Sequence, residues 1–336
     1  MAVLTHPALD GRDYRTPGPW RPDGTVGNTD IDYGRTPLSW AAWGGHEEVV
    51  KILLERADVK PDQPDTFYSQ TPLSLAAEKG FDKIAQILLK REEVNPNTAD
   101  TRYGRTPLSL AAVSGHEEVV KVLMEREEVD PNTADTFYGQ TPLSLAAENG
   151  LKDVVKILLE REDVDPNQAD ITYGLTPLSW AAENGHQGVV KVLLKREDVD
   201  PNQADTIYGM TPLSLAADNG HEGVVKVLLE REDVDPNRAD TTYGLTPLAW
   251  AADNGHEGVV KVLLDREGVT PNTAETFYGR APLSLAAMRG HKGVVKILLE
   301  REDTNSNLAD TTYGLTPLSW AAGNGHEGVV KILLER

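Results

Sequence analysis

The chain has 336 residues, 39% hydrophobic and 26% charged, which is enough to bury a sizeable core and unlike a disordered composition. A net charge of −20 and a pI near 4.8 oppose binding to phosphate backbones or anionic membranes and favour neutral or basic partners, so nucleic acid and membrane are set aside as ligands. The absence of cysteine excludes disulfides, thiolate metal sites and cysteine nucleophiles, and fits a reducing, cytoplasmic location.

Residues 1–29 come first and carry no copy of the unit that fills the rest. They begin MAVLTHPALD, with no basic region followed by an apolar run, so no secretory signal is read there. They hold four of the 21 prolines and several glycines. The piece 14-YRTPGPW-20 echoes the later YGRTPLSW, which leaves a degenerate repeat as the alternative to a flexible arm lying over the first unit.

From residue 30 a single unit recurs. Thr-Pro-Leu stands at Thr36, Thr71, Thr106, Thr141, Thr176, Thr211, Thr246 and Thr316, with Ala281-Pro282-Leu283 in the remaining place, always 35 residues apart. Tyrosine keeps the same period from Tyr33 to Tyr313. Units therefore begin at residues 30, 65, 100, 135, 170, 205, 240, 275 and 310, and the ninth stops at Arg336, where its second helix is due to end.

Unit five, 170–204, shows the elements in order. Thr176 suits an N-cap and Pro177 the first helical position, where a missing N–H costs nothing. Leu178, Trp180, Ala181 and Ala182 make a short apolar helix, which Gly185 breaks. A second helix runs through Val189, Val190, Val192, Leu193 and Leu194, with Lys191 and Lys195 on its outer side. Pro201 ends it, because the residue before a proline avoids the α region. Asn202 to Gly209 then forms a turn. Helices this short are marginal alone, so their apolar faces must stack on neighbouring units as a solenoid. No run is apolar for long enough to span a bilayer.

The string DITYGLTPLSWAAENGH…VVKVLL…DVDPN resembles the ankyrin repeat. The likeness covers residues 30–336 and implies an all-α fold with short β-hairpin turns, a solenoid of helix-turn-helix units. The wording of the copies also resembles ankyrin arrays of filamentous fungi, such as the C-terminal regions of fungal NOD-like receptors. Against the family's 33-residue unit, this one is longer by two: the Asp-Pro step after the second helix, and the tyrosine before the hairpin glycine. The family's histidine after Thr-Pro-Leu is serine or, at Ala249, alanine.

Several features invite a chemical reading. DVDPNQAD at 163–170 begins like a calcium loop, but the sixth place is Gln168 rather than glycine and the twelfth is Gly174 rather than glutamate. Lys60, Gly268 and Thr270 replace its carboxylates in other copies, so a turn joining units is the better account. The seven Gly-His histidines fall one per layer, about 10 Å apart, too far for one metal. No nucleophile–base–orienter set stands apart from the repeat, so neither enzyme, metal nor cofactor is expected.

Recognition is expected where copies differ, at positions that the ankyrin resemblance assigns to the concave face and hairpin tips. The residue before the tyrosine gives Phe67, Arg102, Phe137, Ile207 and Phe277. The one after the hairpin glycine gives Gln70, Arg105, Gln140, Leu175, Met210, Leu245 and Arg280. The end of the first helix gives Trp43, Met288 and Arg289. Leu175, Ile207, Met210 and Leu245 read as an exposed apolar strip flanked by Asp218 and Asp253, with packing against adjacent hairpins as the alternative. The chain thus reads as a non-catalytic scaffold binding a protein partner, as a recognition or sensor module. The competing expectation is a spacer that self-associates end to end, with a strict monomer as its counter-observation.

Overall fold

The computed structural model describes residues 34–336, so the arm expected at 1–29 and the first residues of the first unit, Tyr33 included, lie outside the described residues. Eighteen α-helices follow in nine pairs, from Pro37–Trp43 with Glu47–Leu54 to Pro317–Gly323 with Glu327–Leu334, and there is no strand among the described residues. First helices pack on first helices of the next unit, second helices on second helices, and each first helix on its own partner. One apolar core runs unbroken from Leu38 to Val329 between the two rows.

Each unit starts as the sequence dictates. In Pro177–Glu183 the cap Thr176 is extended, and its Oγ1 accepts the Ser179 N–H at 3.1 Å. The Ser179 hydroxyl lies 3.1 Å from the same oxygen, so the serine is held within its own unit. Gly185 then turns the chain with φ +75°, and a Cβ there would lie 2.7 Å from Nδ1 of His221 in the next unit. Both the backbone sign and the covering ring therefore require glycine. His221 Nε2 lies 2.8 Å from the Glu183 carbonyl oxygen, which can only accept, so the ring donates from Nε2. That bond satisfies an orphan carbonyl at the end of the preceding unit's helix. His116, His186, His256, His291 and His326 repeat it at 2.8–3.0 Å.

The Asp-Pro step is a joint between units. The Asn132 carboxamide donates to the Asp163 carbonyl at 2.7 Å and accepts the Asp165 N–H at 2.8 Å. Asn97, Asn167, Asn202, Asn237 and Asn272 bridge to the following unit in the same way. Because the bridged groups are backbone, Gly268 and Thr270 can replace both aspartates without breaking the joint. Asp163 itself pairs with Arg161, and Asp165 Oδ1 accepts the Asn167 N–H at 2.9 Å.

From the second unit on, each hairpin closes on a buried carboxylate. Asp170 accepts N–H groups of Thr172, Tyr173 and Leu175 at 2.6–3.1 Å, while its own N–H reaches the Leu175 carbonyl at 3.0 Å. The inserted tyrosine supplies the link to the next hairpin: its carbonyl accepts from Thr206 N–H at 2.9 Å, and the bond recurs from Tyr68 to Tyr278.

Unit eight lacks one of these devices. Ala281 caps Pro282–Arg289 without a side-chain bond, and the buried Ser284 hydroxyl has no hydrogen-bond partner. Ala281→Thr restores both in a position already shaped for threonine. We expect a gain of about 1–2 kcal/mol, seen as a higher urea midpoint with an unchanged slope. An unchanged or lower midpoint would show that the site cannot seat the hydroxyl.

Candidate binding groove

The hairpins and first helices of units five to eight enclose a second, smaller apolar cluster. Leu175, Trp180, Met210, Leu215, Leu245, Trp250 and Leu285 are buried in it, with Tyr173, Tyr208, Tyr243 and Met288 packed against its edge. This corrects the exposed strip expected from the sequence: Leu175, Met210 and Leu245 are only 4%, 4% and 6% exposed. The cause is local. The N–H of each is held by the hairpin carboxylate, at 3.1, 2.8 and 2.9 Å, which turns the chain back under the hairpin. Ile207 points the other way and is 50% exposed.

Above this cluster lies an open groove of about 510 Å³. The buried Leu175, Met210, Leu215 and Trp250 floor it, Tyr173, Tyr208 and Tyr243 line it too, and the half-exposed Ile207 stands at its edge. Glu183, Asp218 and Asp253, from the ends of three successive first helices, are also in its lining. Tyr208 and Tyr243 stack with centroids 6.3 Å apart, and Trp250 meets Tyr243 edge-on at 6.0 Å. The indole of Trp250 is fixed from below by Asp240 Oδ2 at 3.1 Å. A smaller hollow of about 280 Å³ continues the groove beside Phe277.

Two of these acids are shifted by their burial. Burial, then repulsion from Glu148, Asp205, Asp218 and Asp170, pushes the Glu183 carboxyl up to about 7. Burial also raises Asp218, against the Asn254 amide at 2.7 Å and His256, which both favour its charged form. Asp253 is different, because Arg289 holds it through two bonds of 3.0 Å and closes that end.

The family models agree with this architecture. One described as "Ankyrin repeats (3 copies)" matches residues 59–135, 124–205, 197–275 and 268–336, and one described as "Ankyrin repeat" matches 33–66. The chain belongs to the ankyrin-repeat family. Ankyrin repeats are generally modules of protein–protein interaction. No curated protein matches the chain.

The ankyrin array sorts the remaining candidates into tips and packed positions. Phe67, Phe137 and Phe277 are 48%, 57% and 61% exposed at hairpin tips, and Arg102 is exposed beside them, 4.8 Å from the Tyr103 centroid. Gln70 and Gln140 are buried instead, since their amides donate to Glu78 and Glu148 at 3.0 and 2.7 Å. Arg105 is half-buried against Asp135 of the next unit at 3.4 Å, and Arg280 against Glu275 at 3.0 Å and Met288 Sδ at 3.2 Å. Trp43 is half-buried, edge-on to Trp40 at 5.8 Å with the Arg35 guanidinium 5.5 Å from its centroid. No group of three residues that could hold a metal exists among the described residues, and none of their helices is long and apolar enough to cross a membrane.

The sequence places Glu183 among the variable ends of first helices but not among the candidate binding residues, and it reads Tyr208 as packing along the hairpins. A signal was present: Glu148, Glu183, Asp218 and Asp253 put an acid at the end of four first helices in a row.

Proposed function

We propose that the chain is a non-catalytic recognition scaffold that holds a segment of a protein partner in the groove of units five to seven, gripped by the hairpin tips. The observation that carries this reading is an open groove with an apolar, aromatic floor, edged by a solvent-facing apolar side chain, Ile207, and continued at Phe277. Ile207 and Phe277 stay half or more exposed, although the Phe277 ring also lies 6.0 Å from that of Tyr243, and exposed apolar patches are where binding energy concentrates. Leu175 and Met210 contribute as floor, and Leu245 as lining of the smaller hollow, rather than as contacts reaching outward. Replacing them would disturb the fold before it reported on binding.

The test uses the exposed tips. A displayed random-peptide library is selected on the wild-type chain, and the enriched clones are retested on two double variants, Ile207→Ser/Phe277→Ser and, on the second-helix side, Lys191→Ser/Lys226→Ser. We expect the tip variant to lose at least about tenfold in affinity and the other variant to match wild type. Equal binding to both would remove this face as the recognition surface.

A further inference from the structure

Six of the joints between units are built alike. At Asn97, Asn132, Asn167, Asn202, Asn237 and Asn272 the carboxamide nitrogen donates to a carbonyl 31 residues on, at 2.6–2.7 Å. The carboxamide oxygen accepts an N–H 33 residues on, at 2.8–2.9 Å. The joint between units one and two has Asp62 in that place. Its Oδ2 accepts the Asn95 N–H, also 33 residues on, at the longer distance of 3.3 Å. Its Oδ1 is sealed from solvent and has no hydrogen-bond partner. The register of the other joints sets that oxygen against the carbonyl of Glu93, 31 residues on, and an ionised carboxylate and a carbonyl can both only accept.

We infer that this joint is a proton-operated latch: Asp62 closes it when its carboxyl carries a proton and donates to the Glu93 carbonyl, as the asparagine amides donate elsewhere, and loosens it on ionisation. An ionised Asp62 leaves one oxygen desolvated without a donor, which weakens the closed joint. Burial pushes the carboxyl above its ordinary 3.8 and the Asn95 N–H opposes that, with no charged side chain contributing. Of the charged groups on the two stretches of chain that meet here, Arg56 pairs with Asp58, Arg91 with Glu93 and Asp65 with Arg35, while Glu55, Lys60, Lys90 and Glu92 are exposed. The closed joint therefore binds its proton more tightly than an open one does. Its extra stability is complete below 3.8 and is lost as pH rises through the raised value. The first two helix pairs contribute Leu38, Val50, Leu73 and Ile84 to the core, so release of unit one uncovers apolar surface on unit two. This device is independent of the groove.

Hydrogen exchange of the full chain, read by mass spectrometry and corrected for intrinsic rates, tests it at about pH 4 and pH 8. Protection of Pro37–Trp43 and Glu47–Leu54 is taken relative to Pro107–Ser114 of unit three in the same molecule, which cancels changes in the array as a whole. We expect this ratio to fall about tenfold in wild type between the two pH values. Asp62→Asn should hold it high at both, because the amide donates whatever the pH, and Asp62→Ala should hold it low at both. Asp153→Asn, an exposed acid of unit four, should follow wild type. A wild-type ratio that ignores pH, or an Asp62→Asn ratio that follows wild type, overturns the latch. If Asp62→Ala is as protected as Asp62→Asn, loss of charge alone closes the joint and the donated bond is wrong. If Asp153→Asn shifts the ratio as much as Asp62→Asn does, the effect is general repulsion in an acidic chain and the inference falls.

Discussion

Asp240→Ala should unfold the array locally around unit seven and lower its stability by about 3 kcal/mol or more. The carboxylate is buried and accepts the N–H groups of Thr242 at 2.9 Å, Tyr243 at 2.5 Å, Gly244 at 3.3 Å and Leu245 at 2.9 Å, and the Trp250 indole at 3.1 Å. Alanine leaves these donors without a partner in a place that neighbouring hairpins cover, and each unsatisfied buried donor costs about 1–3 kcal/mol. Some of that is returned, because the buried charge disappears too. Asp240→Asn should be intermediate: its amide nitrogen must face donors on one side. Asp240→Glu should be mildest, since Glu275 does the same work in unit eight, accepting from Phe277 at 2.7 Å and Tyr278 at 3.0 Å. Urea unfolding followed by tryptophan fluorescence orders the three. An alanine variant within about 1 kcal/mol of wild type would mean that the hairpin is held by its backbone alone.

The same carboxylate shows where sequence reading succeeds and where it stops. Thr176 and Pro177 act through near neighbours, so their places in the unit reveal their roles. Asp170 was legible as a turn-closing residue for the same reason. The reach of Asn167 was not, because its partners are the Asp198 carbonyl and Asp200 N–H, 31 and 33 residues on. His221 likewise starts its helix as expected, yet bonds a carbonyl 38 residues back. The position after the hairpin glycine misled in a more instructive way. It changes among Gln, Arg, Leu and Met from unit to unit, and variation inside a repeat suggests solvent. Several choices instead travel with a partner in the same unit. Gln70 and Gln140 go with Glu78 and Glu148, and Leu175 and Leu245 go with Trp180 and Trp250 beneath the same hairpin, while Arg105 meets Asp135, whose place holds an acid in every unit. A buried position that admits several paired solutions varies as freely as an exposed one. Correlation between two places in the unit, rather than variation at one, separates the cases.

Glu183→Gln should stabilise the chain at neutral pH and flatten its pH dependence. Burial and four nearby carboxylates raise Glu183 from an ordinary 4.5 to about 7 in the folded chain. The folded state therefore binds this proton more tightly than the unfolded state does. Between those two values the native chain carries more protons, so stability falls as pH rises through the window and levels off above it. A displacement of that size corresponds to about 3 kcal/mol, with Asp218 adding to it in the same direction. The Arg-paired carboxylates of Asp163, Asp198, Asp233 and Asp303 are lowered by their guanidinium partners and act oppositely, contributing stability that is lost only at more acid pH. Wild type should therefore be most stable at mildly acid pH, about 5, and weaker at about 8. In Glu183→Gln the side chain keeps its shape without the charge, so its urea midpoint should exceed that of wild type at about pH 8 and converge with it near pH 5. Parallel midpoint curves for the two proteins would show that Glu183 is ionised at no cost, and that the acidic side of the groove is better solvated than its burial implies.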